Sequence, residues 1–172
     1  FSAFAEGVSL YSAFAVLYSF QMRNLLKGVG QQMKWSVRDE SLHSKMGCQL
    51  FRHMCSQIPG LKEECKEHVY DAALTMHNAE MTYISKLFEM GDIEGITEYD
   101  LKHFIKKRTG DKIQELGYKP EGKFKFEYDQ KSIDKMAWFD HLTGGHTHTD
   151  FFAIRPTDYS KAGEGEDFDD VW

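Results

Sequence analysis

The stretch KGVGQQMKWSVRDESLHSKMGCQLFRHMCSQ, residues 27–57, decides the fold. Its apolar side chains recur every four or five residues, at Met33, Val37, Leu42, Met46, Leu50 and Met54. This spacing is typical of one side of an α-helix, and Pro59-Gly60 marks the end of the segment. The sequence therefore predicts one long helix from about residue 27 to residue 57.

The neighbouring segments are predicted to be helical too. Residues 2–22 are apolar nearly all round a helix, which indicates burial on most sides. A period near 3.6 predicts a third helix over 61–90, and a capping-box-like start at Thr97 predicts a fourth that stops at Gly117. Residues 123–128 are interpreted as an extended connector before a short helix over 132–142. With no two strands to pair, the predicted fold class is all-α.

Charge is unevenly distributed along the chain. The net charge of the 172 residues is −6, and residues 157–172 hold six acidic side chains against one lysine. A nearly neutral body with an acidic tail lacks the clustered basic excess that phosphate binding needs. The composition therefore argues against nucleic acid as the main partner.

The cysteines and the first residues indicate the compartment. Three cysteines without a CxxC motif predict reduced thiols and a cytoplasmic location. The apolar opening has no basic segment before it and is too short and too polar for a membrane span, so neither a signal peptide nor a membrane is predicted. Because the chain opens on Phe1 inside an apolar helix, we expect it to continue from an upstream segment.

Two acidic positions carry the chemistry. Glu40 and His43 lie three residues apart, so both side chains leave one face of the long helix and can bind one ion. Glu6 is the one charged residue among the first 22, on a helix whose other faces are apolar. A buried carboxylate must be paired, protonated or bound to metal. The alternatives are a frayed end for Glu6 and a solvated charged face around Glu40.

A helical hairpin would bring these positions together. The midpoint between Glu6 and Glu40 is residue 23, in the polar break Gln21-Met-Arg-Asn24 where the apolar run stops. Because helical rise is equal on both arms, the two carboxylates are predicted to meet at one level of a bundle.

Two parts of the sequence resemble a known family. Glu6-Gly-Val-Ser-Leu-Tyr11, followed by Arg38-Asp-Glu-Ser-Leu-His43, is similar to the second half of the radical-generating small (beta) subunit of class I ribonucleotide reductase. The phrase Phe151-Phe-Ala-Ile-Arg-Pro-Thr-Asp-Tyr159 and the acidic run to a terminal aromatic residue resemble the partner-binding end of the same family.

The resemblance implies a fold and a site. The fold would be a ferritin-like helical bundle around a dinuclear metal centre, with Fe/Fe first and Mn/Fe or Mn/Mn as alternatives. Glu6, Glu40 and His43 would be metal ligands, Asp39 and Tyr159 would take part in radical transfer, and Leu10 and Phe14 would keep the pocket dry.

The match is incomplete. The family's site also needs an aspartate, a second ExxH and usually a nearby tyrosine, which this sequence does not carry in that arrangement. We therefore expect a split or truncated C-terminal half. Residues 1–142 would hold half of the site, and residues 143–172 would be a flexible tail that docks on the large subunit. An N-terminal half chain would supply the other ligands, and small subunits would pair.

Other charged groups are predicted to lie on solvated helix faces. These are the pairs around Glu64, Glu67 and His68 and around His77 and Glu80, and the basic cluster of Lys102, Lys106, Lys107, Arg108 and Lys112. Two further functions stay open. One is a different ferritin-like di-metal protein, an oxidase or iron store, and the other is a non-enzymatic helical interaction module.

Overall fold

The computed structural model describes residues 1–143, which form seven α-helices and one 3-10 turn. The helices are α1 (Ser2–Ala5), α2 (Tyr11–Met22), α3 (Lys27–Gln57), α4 (Leu61–Glu64), α5 (Lys66–Phe88), α6 (Glu98–Glu115) and α7 (Gln130–Thr143), and the turn is Gly122–Phe124. The described part of the chain has no β-strand, which confirms the all-α prediction. None of its helices has the length and apolarity to cross a bilayer.

The helices form a bundle around α2 and α6. Helix α6 packs against α5, α7, α2, α3 and α1, and α2 packs along α3. Side chains that are at most 2% exposed join these elements: Val8, Tyr11, Tyr18, Ile84, Leu101, Ile105, Ile113, Met136 and Phe139. Since full burial of one such side chain is worth about 1.5–3 kcal/mol, this apolar contact is the main stabilising force.

The observed ends of α3 and α6 agree with those that the sequence predicts. Helix α3 has the predicted bounds, and α6 begins after Thr97, whose hydroxyl accepts a hydrogen bond from the Asp100 amide at 3.0 Å. Gly117 follows α6 with φ of +88°, the left-handed conformation that glycine adopts at low cost. Helix α7 begins two residues before its predicted start.

Three segments differ from the predictions. The helix expected over 2–22 is interrupted between Glu6 and Leu10, and the helix expected over 61–90 is interrupted at Cys65. The expected extended connector opens instead with the 3-10 turn, because Phe124 stacks on Tyr70 with ring centroids 4.5 Å apart.

Candidate metal centre

Helices α2 and α3 form the antiparallel hairpin that the sequence predicts, but its midpoint lies a few residues after the predicted residue 23. Its turn covers residues 23–26, where Asn24 and Leu26 adopt positive φ angles of 64° and 48°. Tyr11 on one arm shares a hydrogen bond of 2.6 Å with the Ser41 hydroxyl on the other. The two arms are therefore antiparallel, and the residues near Glu6 lie opposite those near Glu40.

Glu6, Glu40 and His43 converge at this level of the bundle. Each offers one ligand atom, and the three atoms all lie within 4.8 Å of one another. His43 Nδ1 lies 3.5 Å from Glu40 Oε2, and the Ser2 hydroxyl donates to Glu6 Oε2 at 2.5 Å. The two carboxylates are half-buried and His43 is exposed, so the cluster faces outward from the bundle.

The donor set suits a transition metal. Two carboxylate oxygens and one imidazole nitrogen match the ligands that iron, manganese and zinc accept. They converge from α3 and from the turn after α1, so the three side chains are placed to bind one metal ion together. That they are metal ligands stays a prediction.

The remaining predicted site residues lie in different environments. Asp39, next to Glu40, is exposed on α3. Phe14 is buried, as expected for a side chain that keeps the pocket dry, but Leu10 is 39% exposed. Tyr159 lies outside the described residues, as does the predicted tail beyond residue 143.

The assignment of His77 and Glu80 to a solvated face was wrong. Both lie on the inner face of α5, with His77 8% and Glu80 5% exposed, and the Ser12 hydroxyl donates to Glu80. Burial raises the pKa of the Glu80 carboxyl to about 7, and burial together with the Lys106 charge lowers the pKa of His77 to about 4. The residues Glu64, Glu67 and His68, in contrast, are exposed as predicted.

The basic cluster on α6 is also only partly solvated. Lys102 and Lys107 form ion pairs with Glu98 and Asp111 on the outer face. Lys112, however, is 8% exposed, and Arg108 points inward to Gly7. The sequence contained a signal for this, since position 108 continues the buried stripe Leu101, Phe104 and Ile105 at helical spacing.

Comparison with known proteins assigns the family. The sequence profile of the family described as "Ribonucleotide reductase, small chain" matches residues 1–124. The chain belongs to this family. The match includes both segments that carry the converging carboxylates, so membership of the family that these segments resemble is confirmed, and this family generally carries a dinuclear metal centre.

Individual members of the ribonucleotide reductase small chain family resemble the chain beyond the profile. A probable ribonucleoside-diphosphate reductase small subunit of Invertebrate iridescent virus 3 is 33% identical over 171 residues, covering 94% of this chain and 42% of the relative. A second, from Invertebrate iridescent virus 6, is 27% identical over 194 aligned residues, covering 100% and 53%. The ribonucleoside-diphosphate reductase subunit beta of Chlamydia pneumoniae is 23% identical, covering 92% and 43%. The chain thus spans about half the length of these relatives.

Proposed function

We propose that this chain is a component of the small subunit of class I ribonucleoside-diphosphate reductase and helps to hold its dinuclear metal centre. The observation that carries the proposal is the convergence of Glu6, Glu40 and His43 within 4.8 Å. Membership of the small chain family supports it, because the matched region contains all three residues.

The three residues would bind metal through two carboxylate oxygens and one imidazole nitrogen. Oxygen-rich sites with one nitrogen suit iron and manganese, so Fe/Fe is proposed first, with Mn/Fe and Mn/Mn as alternatives. When bound, such a centre supplies a one-electron oxidant for ribonucleotide reduction. Ser2, which donates to Glu6 Oε2, would hold this carboxylate in its binding orientation, as hydrogen bonds to ligating carboxylates generally do.

Three ligands are too few for two metal ions, and the surface of α3 indicates where the others would come from. Large apolar side chains on the outer side of α3 are between 41% and 61% exposed: Trp35, Leu42, Met46, Leu50 and Met54. His43, three residues before Met46, is exposed on the same helix and is a neighbour of this row by helical spacing. Since contiguous exposed apolar surface marks an interaction site, we propose that a polypeptide segment with the remaining ligands packs on this row.

Asp39 and Tyr159 are proposed to transfer the radical to the large catalytic subunit. Asp39 lies next to Glu40 and is exposed, so it can contact a group outside the described bundle. Tyr159 lies in the C-terminal tail, whose acidic run ends in Phe168, Val171 and Trp172. Such a polar segment with an apolar end is typical of an arm that orders on a partner, here the large subunit.

The proposal includes a pair of small subunits and a cytoplasmic location. Two functions remain as alternatives, another ferritin-like di-metal protein and a helical interaction module. Metal binding would distinguish the interaction module from the two metal-binding alternatives. Binding to the large subunit that depends on the tail would distinguish the reductase from an oxidase or an iron store.

Metal analysis after equilibration with Fe(II) or Mn(II) tests the centre. Glu6→Gln and Glu40→Gln should each weaken binding, because each removes one anionic ligand. The matched control is Glu67→Gln, next to His68 on the exposed side of α5, which should leave binding unchanged. Full two-metal occupancy by this chain alone would contradict the half-site. Equal binding by Glu6→Gln and the unsubstituted chain would contradict the metal centre.

Deletion of the last eight residues tests the tail. The shortened chain should lose its affinity for the large subunit and keep its metal binding, since the proposed ligands lie more than a hundred residues upstream. Unchanged affinity for the large subunit would refute the anchor role.

A further inference from the structure

Arg108 on α6 contacts the chain immediately after Glu6. Its Nε and Nη2 atoms donate to the Gly7 carbonyl oxygen at 3.3 Å and 3.2 Å. In a continuous helix this oxygen would accept from the Tyr11 amide, but that amide donates to Val8 at 3.1 Å instead. Arg108 thus satisfies the carbonyl that the break between α1 and α2 leaves without its helical partner.

The same guanidinium also fixes the neighbour of Glu40. Its central carbon lies 3.3 Å from the centre of the Tyr11 ring, and the Tyr11 hydroxyl shares a hydrogen bond with Ser41. Stacking of this kind is attractive because the cation faces the negative side of the ring, and it strengthens when water is excluded. Arg108 therefore links the backbone after Glu6 to the residue after Glu40 through one planar group.

We propose that Arg108 is a positioning residue that sets the separation of the Glu6 and Glu40 carboxylates and so controls metal affinity. The inference rests on the proposed function. Arg108 itself binds no metal in this proposal, and it acts by keeping the α1–α2 break and the α3 face in one arrangement. Burial lowers the pKa of Arg108, yet its nearby acidic groups Asp111, Glu115 and Asp140 favour the charged form that stacking needs.

Lysine cannot replace this group fully. Its ammonium would keep a positive charge near the Tyr11 ring, but it cannot present two donors in a plane to the Gly7 oxygen. The metal affinity of Arg108→Lys should accordingly lie between that of the unsubstituted chain and that of Arg108→Met. Arg23 offers a matched control, because it also stacks on a ring, Phe20 at 4.6 Å, and donates to a backbone carbonyl, but at the far end of the hairpin.

Titration of the full 172-residue chain with Co(II) tests the inference, with visible absorption reporting the coordination. Arg108→Met should weaken binding by about tenfold or more, the usual cost of removing a group that orients a ligand, and should alter the absorption spectrum. Arg23→Met should change neither. In a Glu6→Gln chain the Arg108→Met substitution should have little further effect, because the separation that Arg108 sets no longer matters once residue 6 is not a ligand.

Each outcome has one reading. If Glu6→Gln weakens binding and Arg108→Met does not, the inference is overturned and the proposed function stands. If the two substitutions weaken binding additively, Arg108 acts on the fold as a whole, and the inference is overturned. If Glu6→Gln leaves Co(II) binding unchanged, the proposed function fails and this inference fails with it. Should Arg108→Met not fold, Arg108→Lys is judged by the same comparisons.

Discussion

Replacing Glu80 by glutamine should stabilise the protein, and the gain should depend on pH. Glu80 is 5% exposed, and the polar partner of its carboxyl group is the Ser12 hydroxyl. Burial raises its pKa from an ordinary 4.5 to about 7, although the hydrogen bond from Ser12 opposes the rise. The folded protein therefore holds a proton that the unfolded chain releases at lower pH.

The sign and size follow from this difference. Because the folded-state pKa lies above the unfolded one, the contribution of Glu80 to stability is fully present below pH 4.5 and is lost as the pH rises to about 7. Since one pKa unit is worth about 1.4 kcal/mol, the loss amounts to about 3 kcal/mol. Glutamine stays neutral and can still accept a hydrogen bond from Ser12. The free energy of unfolding of Glu80→Gln should therefore equal that of the unsubstituted protein at pH 4 and exceed it by about 3 kcal/mol at pH 8.

Urea unfolding of the full chain at half-unit steps between pH 4 and pH 8, followed by circular dichroism, measures this difference. Taking the difference between two chains cancels the titration of His77, which both retain. Glu67→Gln, on the exposed face of the same helix, is the control and should stay within about 0.5 kcal/mol at every pH. A gain that does not change with pH, or a loss at pH 8, would refute the reasoning.

Four further substitutions test packing, a helix cap and a buried carboxylate by the same unfolding measurement. Gly7→Ala should lower the free energy of unfolding by about 1–3 kcal/mol, because the added methyl group would overlap the backbone of α1. In Gly28→Ala the methyl group enters open space, so this control should be neutral or stabilising. Thr97→Ala should cost about 1 kcal/mol by removing the cap of α6. Burial raises the pKa of Asp100, but hydrogen bonds from Ser132 and other donors outweigh it and hold the pKa below its ordinary 3.8. Asp100→Asn should therefore cost about 1–3 kcal/mol at neutral pH, a difference that vanishes as acid protonates Asp100.

Features that depend on local sequence were predictable. The bounds of α3 follow from its apolar period and from Pro59-Gly60, and the start of α6 follows from the Thr97 cap. The antiparallel hairpin was also predictable, although the Tyr11–Ser41 hydrogen bond puts its midpoint near residue 26 and not at the predicted residue 23. Glu6 converges with Glu40 from the turn after α1, a part of the chain that the hairpin prediction treated as continuous helix.

Features that depend on distant residues were not predictable in the same way. The break after Glu6 is held by Arg108, a partner 101 residues away, so the local sequence reads as one continuous helix. The buried Glu80 was missed although a signal existed: with Ala73, His77 and Ile84 it forms a spacing of four, three and four residues, the stripe of a core-facing helix. The acidic side chain of Glu80 suggested the surface, whereas the periodicity of α5 correctly indicated the core.

These two misses have a common physical origin. A charged side chain is assigned to the surface because burial of an unpaired charge is expensive, but this cost disappears when the group is neutral or when fixed partners replace water. Glu80 meets the first condition, since its raised pKa keeps it largely protonated below neutral pH, and Arg108 meets the second through the Gly7 carbonyl and the Tyr11 ring. Both inward charges contact α2 or the break before it. Helix α2 has no charged residue of its own, and it provides much of the environment of these two charged groups. A charge that lies on an apolar stripe should therefore be assigned by that stripe.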